Sequence, residues 1–82
     1  MEIFTYTVGP FLENTYLVLN ESRALLIDPG FSNRTEFSQF RDELEETEAS
    51  LEAVLLTHAH IDHVLGLGQV LLTWDVPVYL NH

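Results

Sequence analysis

Apolar and polar positions first alternate along this chain and then give way to continuous apolar blocks. Residues 3–8 and 14–20 are rich in threonine, aromatic and β-branched residues, and a Gly-Pro pair at 9–10 interrupts them. This pattern is typical of two strands joined as a hairpin. Residues 23–28 follow a short polar turn and contain four consecutive apolar residues, which predicts a third strand.

A helical period begins after the third strand. Asn33 is followed three positions later by Glu36, the spacing of a helix-capping pair. Phe37, Phe40 and Leu44 then recur at helical spacing with acidic residues between them, which predicts an amphipathic helix that buries these three side chains.

The last third of the chain contains two more apolar runs and a short strand. Residues 53–56 are wholly apolar and predict a strand, residues 64–73 are long enough for a helix, and residues 77–80 predict a closing strand. Gly66 and Gly68 each lower helix propensity by about 1 kcal/mol. We interpret them as small residues that let the second helix approach the sheet closely.

This order of elements predicts an α/β fold with at least one parallel strand pair. Strands that are continuously apolar, such as residues 24–27 and 53–56, are normally covered on both faces of a sheet. Two helices cover one face only. We therefore expect the second face to require either more chain or a second subunit.

Composition and charge exclude several classes of function. The chain has 82 residues, three arginines, no lysine and thirteen carboxylates, which gives a formal net charge of −10. Such a charge disfavours anionic membrane surfaces as partners, and it disfavours nucleic acid unless a bound metal reverses the field locally. No apolar run approaches the ~18 residues of a membrane span, and nothing at the N-terminus resembles a signal peptide, so we expect a cytoplasmic protein. The absence of cysteine leaves His, Asp and Glu as the strong metal ligands.

Three of the four histidines and one aspartate lie within six positions, between an apolar strand and an apolar helix. Where the backbone leaves the strand extended, residues two apart point the same way, so His58, His60 and Asp62 can converge on one side. His63 follows at the start of the helix and points elsewhere. This arrangement favours two adjacent metal ions over a single tetrahedral ion.

The motif H-x-H-x-D-H at 58–63, with Asp-Pro-Gly at 28–30 and Glu-Asn-Thr-Tyr at 13–16, resembles the metallo-β-lactamase superfamily and within it the glyoxalase II-like hydrolases. The resemblance implies the αβ/βα sandwich fold. Residues 1–82 would form its N-terminal half, a mixed β-sheet with two helices on one face, and we expect no complete domain.

The resemblance also implies a division of roles within the site. His58 and His60 would bind a first metal ion, while Asp62 and His63 would bind a second. The ions would be zinc, with iron or manganese as alternatives, and a hydroxide bridging them would attack the carbonyl of a small ester or thioester, as in hydroxyacylglutathione hydrolases. Asp62 would also orient the hydroxide. Asp28 would lie beside the ligands and fix the ligand loop and a histidine tautomer, although a turn residue before Pro-Gly is an equally good interpretation of it.

Two other functions fit the same residues. One is an iron-dependent persulfide dioxygenase or diiron oxidoreductase on the same fold, which metal analysis would distinguish. The other is a non-catalytic half-domain that self-associates as a homo-oligomer to cover its open sheet face. Members of the family carry further ligands downstream of this motif, so we expect the 82-residue chain to bind metal weakly and to hydrolyse substrate poorly.

Overall fold

The computed structural model describes residues 1–9, 13–57 and 63–80, and in these residues the chain forms one mixed sheet and two helices. The elements in chain order are β1 (Glu2–Val8), β2 (Glu13–Asn20), β3 (Arg23–Ile27), α1 (Arg34–Thr47), β4 (Ser50–Leu56), α2 (His63–Thr73) and β5 (Val78–Leu80). The strands lie side by side in the order β1-β2-β3-β4-β5.

The sheet changes from antiparallel to parallel at β3. β1, β2 and β3 pair antiparallel, whereas β3 pairs parallel with β4 and β4 parallel with β5. α1 and α2 are the two crossover connections. Because parallel crossovers are right-handed and both advance in the same direction along the sheet, they place both helices on the same face. The predicted mixed sheet with two helices on one face is confirmed.

The core lies between this face and the helices. Leu17 of β2 lies opposite Leu26 of β3, and Leu26 lies opposite Val54 of β4, so the three side chains form one row across the sheet. All three are essentially inaccessible to solvent. Full burial of each such side chain stabilises the fold by roughly 1.5 to 3 kcal/mol.

Helix α1 packs on this row through the residues that its periodicity predicts. Phe37, Phe40 and Leu44 are buried. Phe40 stacks on Phe31 of the preceding loop, with ring centroids 5.1 Å apart, and both rings meet the edge of Tyr6 in β1. One aromatic cluster therefore joins α1, the loop before it and the first strand.

A polar contact reinforces the position of β1. The Tyr6 hydroxyl donates a hydrogen bond to the Glu43 carboxylate of α1. Burial, the hydrogen bond and the nearby negative charge together raise the pKa of Tyr6 well above its usual range. The side chain therefore acts as a neutral donor that ties the edge strand to the helix.

The glycines of helix α2 do not all face the sheet. Val70 is fully buried in the core, but Gly68 is exposed, and a Cβ added there would meet no atom within 4 Å. The expectation that Gly68 lets the helix approach the sheet is wrong, because this residue points away from the sheet. Gly66 lies outside the residues whose side-chain positions are described. Within the described ranges, neither helix combines the length and apolar character needed to cross a membrane.

The second face of the sheet is apolar and uncovered by any described element. Strand register places Val18 opposite Leu25, and Ile27 opposite Leu55, on this face, and all four are half-buried. Ile3 and Tyr79 extend the same face toward its two edges, where each is 58% exposed.

Candidate metal centre

Two loops leave the sheet at the carboxyl ends of its central parallel strands. β3 ends at Ile27 and β4 at Leu56, and because these strands are parallel their ends meet at one edge. Residues 28–33 and the segment that starts at Thr57 both begin there. In open α/β sheets, ligands bind at this edge, and the histidine motif lies here in the chain.

Asp28 joins the two loops. It is 5% exposed and has φ +52°, a left-handed conformation that Asp tolerates better than most residues. Its Oδ1 atom accepts a hydrogen bond from the Thr57 backbone N–H at 2.7 Å, and its Oδ2 atom accepts one from the Thr57 hydroxyl. Its own N–H donates to the Leu55 carbonyl at 2.9 Å. The residue immediately before His58 is therefore held by a buried carboxylate.

Thr15 holds the Asp28 turn from the other side. This β2 residue is fully buried. Its hydroxyl donates to the Asp28 carbonyl at 2.7 Å and accepts from the Gly30 N–H at 2.9 Å. One side chain thus satisfies both polar groups at the two ends of the Asp-Pro-Gly turn, as buried polar groups require.

Glu36 fixes the remainder of the first loop. Its carboxylate accepts hydrogen bonds from the backbone N–H of Gly9 at 3.0 Å, and from the N–H and hydroxyl of Ser32 at 2.8 and 3.1 Å. Burial acts to raise the pKa of Glu36, but these donors outweigh it and lower that pKa below its usual value. The end of β1 and the loop before α1 are therefore tied to one charged group.

The predicted ligands occupy the segment that these contacts introduce. His58, His60 and Asp62 lie outside the described residues. His63 is the first residue of α2, and its side chain is not among those described. Elsewhere in the described part of the chain, no three His, Cys, Asp or Glu residues lie close enough to hold a metal ion.

The chemistry of the motif fits a divalent metal. Imidazole and carboxylate suit zinc, iron and manganese, and in the chain the residues that carry them follow Thr57, which is bonded to Asp28, and end at the first residue of α2. The role predicted for Asp28 toward a histidine ligand stays a prediction, because that contact falls outside the described residues. The structure shows Asp28 in the turn with its carboxylate bonded to Thr57, the residue before the predicted ligand segment.

Sequence reasoning did not single out Thr15 or Thr57 for any role. The signal was nevertheless present. Thr15 occupies the inward position of an alternation that continues through Leu17 and Leu19, so its hydroxyl had to be buried and paired. Thr57 directly follows a strand whose last four residues are apolar. Their partner, Asp28, is distant in sequence, so only the fold identifies it.

Comparison with known proteins places this arrangement in a family. The profile of the metallo-beta-lactamase superfamily matches residues 8–82, which is most of the chain. The chain belongs to the metallo-β-lactamase superfamily. The resemblance based on the histidine motif is thereby confirmed at the level of the family.

Curated relatives in this superfamily include metallo-hydrolases. The chain is 38% identical over 74 residues to the probable metallo-hydrolase YqgX of Bacillus subtilis, a match that covers 90% of this chain and 33% of that protein. It is 33% identical over 72 residues to a hydroxyacylglutathione hydrolase of Bdellovibrio bacteriovorus, covering 84% of this chain and 27% of that protein. The chain thus spans about a third of the length of the relatives it matches.

Solved structures of the superfamily share the fold. The B3 metallo-β-lactamase BLEG-1 superposes with a TM-score of 0.80 at 30% identity, covering 95% of this chain and 36% of that one. TTHA1623 in a di-iron-bound form superposes with a TM-score of 0.73 at 39% identity, covering 93% and 36%. These matches confirm the metallo-β-lactamase fold for the described region.

Proposed function

We propose that this chain carries the ligand segment of a metal-dependent hydrolase that cleaves a small ester or thioester. The observation that carries the proposal is the position of the histidine motif. It begins one residue after Thr57, which Asp28 holds at the carboxyl ends of two parallel strands. The similarity to a hydroxyacylglutathione hydrolase supports a thioester as the substrate class.

In this proposal His58 and His60 hold one divalent ion and Asp62 and His63 hold a second, as the family resemblance implies. Metal ions of this kind supply Lewis-acid polarisation of a carbonyl and lower the pKa of water toward neutrality. The chain's own contribution is orientation. The Asp28 carboxylate fixes the backbone of Thr57, and this sets the direction in which the ligand segment leaves the sheet.

A second candidate function is oxidation chemistry with iron, as in a persulfide dioxygenase or a diiron oxidoreductase. The observation that favours it is the similarity to TTHA1623, whose structure is of a di-iron-bound form. Imidazole and carboxylate ligands suit iron as well as zinc, so metal identity separates the two candidates.

Metal retention tests the ligand assignment. The 82-residue chain is dialysed to equilibrium against buffer of fixed Zn²⁺ or Fe²⁺ concentration, and the metal retained with the protein in excess of the buffer is measured by plasma mass spectrometry. We expect His60→Ala to lower retained metal at least tenfold, because it removes a ligand from the motif. His82→Ala is the matched control, since His82 is the one histidine outside the motif, and it should retain as much metal as the unsubstituted chain.

Equal retention by His60→Ala would overturn the ligand assignment. Hydrolysis of an acylglutathione by the zinc-loaded chain, abolished in His60→Ala, would support the hydrolase. Preferential retention of iron together with oxygen consumption on a persulfide substrate would favour the second candidate and exclude the first.

A further inference from the structure

We infer that Thr15 is a positioning residue for the metal-ligand segment, acting through the Asp28 turn. No residue of β2 belongs to the histidine motif, yet the Thr15 hydroxyl is hydrogen-bonded to the turn that holds the start of that motif. The metal-related part of the inference rests on the proposed function, whereas the hydrogen-bond geometry is independent of it.

The first step is the contact of Thr15 with the turn. Its hydroxyl gives its proton to the Asp28 carbonyl at 2.7 Å and uses a lone pair for the Gly30 N–H at 2.9 Å. Both partners are buried backbone groups. The carbonyl of Asp28 and the amide two residues later are thus held together by one oxygen atom, so the hydroxyl closes the turn.

The second step is the backbone conformation of Asp28. At φ +52° the residue lies in the left-handed region, which is strained for a non-glycine residue although less so for Asp than for most, so contacts that favour it help to hold it there. Two backbone contacts do so: its carbonyl accepts from Thr15, and its N–H donates to the Leu55 carbonyl at 2.9 Å. This conformation sets the direction in which the carboxylate leaves the backbone.

The third step carries the constraint to the ligand segment. The Asp28 carboxylate receives both the N–H and the hydroxyl of Thr57, and Thr57 precedes His58 directly. A change at Thr15 therefore reaches the ligand segment through two sets of hydrogen bonds. A purely structural hydroxyl would affect the stability of the whole sheet without any preference for Thr57.

Amide hydrogen exchange in the metal-free chain tests this relay. Thr15→Val keeps the shape of the side chain and removes the hydroxyl. Relative to the Leu26 and Val54 amides of the central strands, we expect exchange at Gly30 and Thr57 to accelerate at least tenfold. Thr15→Ser restores the hydroxyl and should return both amides to within threefold of their original rates.

Leu19→Ala is the matched control, because Leu19 is buried on the same face of the same strand. It should accelerate exchange throughout the sheet with no preference for Thr57. A uniform acceleration in Thr15→Val, or no change at Thr57, would overturn the inference. If Thr15→Val does not fold, hydrogen exchange in the unsubstituted chain is the test. The Gly30 and Thr57 amides should then exchange through one opening event with the same free energy. Different opening free energies for the two amides would refute the relay.

Metal affinity separates this inference from the proposed function. Where the unsubstituted chain binds Zn²⁺, Thr15→Val should weaken binding at least tenfold and Thr15→Ser by less than threefold, because supporting hydrogen bonds contribute that much to metal sites. Unchanged affinity in Thr15→Val would refute the positioning role. Failure of the unsubstituted chain to bind metal would count against the proposed function, while the exchange pattern would still decide whether Thr15 positions Thr57.

Discussion

Single buried or half-buried polar groups shape the edge of the sheet at which the ligand segment begins. Thr15, Asp28 and Glu36 each accept or donate two or more hydrogen bonds there, and most of their partners are backbone groups. Backbone groups in the loops are otherwise unpaired by secondary structure, and leaving one buried without a partner costs roughly 1 to 3 kcal/mol. The loops are therefore ordered by side chains.

Glu36 makes the stability of the fold dependent on acid pH. Its pKa is lowered in the folded chain, so its contribution is complete above the unfolded value of about 4.3 and is lost as the pH falls through the lower folded value. We expect Glu36→Gln to flatten the fall in unfolding free energy below pH 5, measured by urea denaturation at several pH values. Glu45→Gln, an exposed acid on the same helix, should leave the slope unchanged. An unaltered slope in Glu36→Gln would contradict the assignment.

At this scale the sequence predicts helix capping better than long-range contacts. The Asn33 and Glu36 pair is recognisable by its spacing, and the Asn33 side chain does accept from the Glu36 N–H at 2.9 Å. The Glu36 side chain, however, reaches Gly9, which is 27 positions away. No local pattern encodes that partner, because it depends on where β1 ends relative to α1.

Each helix has one residue that is unfavourable for its backbone position. Glu48 ends α1 with φ +60°, a conformation that glycine adopts without strain, whereas Gly68 lies exposed inside α2. Glu48→Gly and Gly68→Ala should each raise the unfolding free energy by about 0.5 to 1 kcal/mol. The two sites lie on different helices, so we expect their effects to add in urea denaturation.

Gly9→Ala provides the opposite control. Gly9 has φ +78°, and a Cβ there would lie 3.4 Å from the Gly30 carbonyl oxygen, so this substitution should destabilise the fold. A loss of stability in Gly68→Ala would mean that α2 approaches another element at this residue, contrary to the open space seen around it.

Element boundaries could be predicted to within a few residues, and the misses have physical causes. The predicted strand at 53–56 begins earlier, at Ser50, because Leu51 is buried opposite Ala24 while the intervening Glu52 points to solvent. A register shift between Ala24 and Leu25 accommodates the extra residue. In the sequence, a charged residue such as Glu52 indicates a loop, although the backbone of β4 is already paired with β3 on either side of it.

Over the whole molecule, charge and apolar surface are separated. Six of the thirteen carboxylates lie on α1 and at its C-terminal cap: Glu36, Asp42, Glu43, Glu45, Glu46 and Glu48. The open face of the sheet is instead apolar across its centre. Two copies could bring these faces together while their most acidic regions point apart. Further chain and a second subunit both remain open as the cover of this face, and for the isolated 82-residue chain we propose a second copy.

Sedimentation at micromolar concentration tests this association. We expect a dimer that is favoured by added salt, because salt screens the repulsion between two chains of net charge −10. Leu25→Glu, in the centre of the open face, should yield monomers. Leu72→Glu adds the same charge at a helix position that is 91% exposed and should remain dimeric. A compact monomer for the unsubstituted chain, or equal dissociation by both variants, would refute the proposal.

The arrangement of layers could be predicted from the number of apolar strands and of helices available to cover them. Two continuously apolar strands need cover on both faces, and two crossover helices supply one face only. The identity of the site could be proposed from the density of histidines between 58 and 63. The anchoring of that segment could not, since Thr57 is bonded to Asp28 in the loop after β3, and Asp28 in turn to Thr15 of β2, and these residues meet only in the folded chain.

The contacts that anchor the ligand segment are all distant in sequence, and this has a consequence for folding. The hydroxyl of Thr15 reaches Asp28 across 13 positions, and the Asp28 carboxylate reaches Thr57 across 29. Such contacts repay the entropy of loop closure only after the hairpin and the first parallel crossover have formed. We therefore expect the geometry of the proposed metal site to form late, so the rate of metal uptake during refolding should report the completion of the sheet rather than its nucleation.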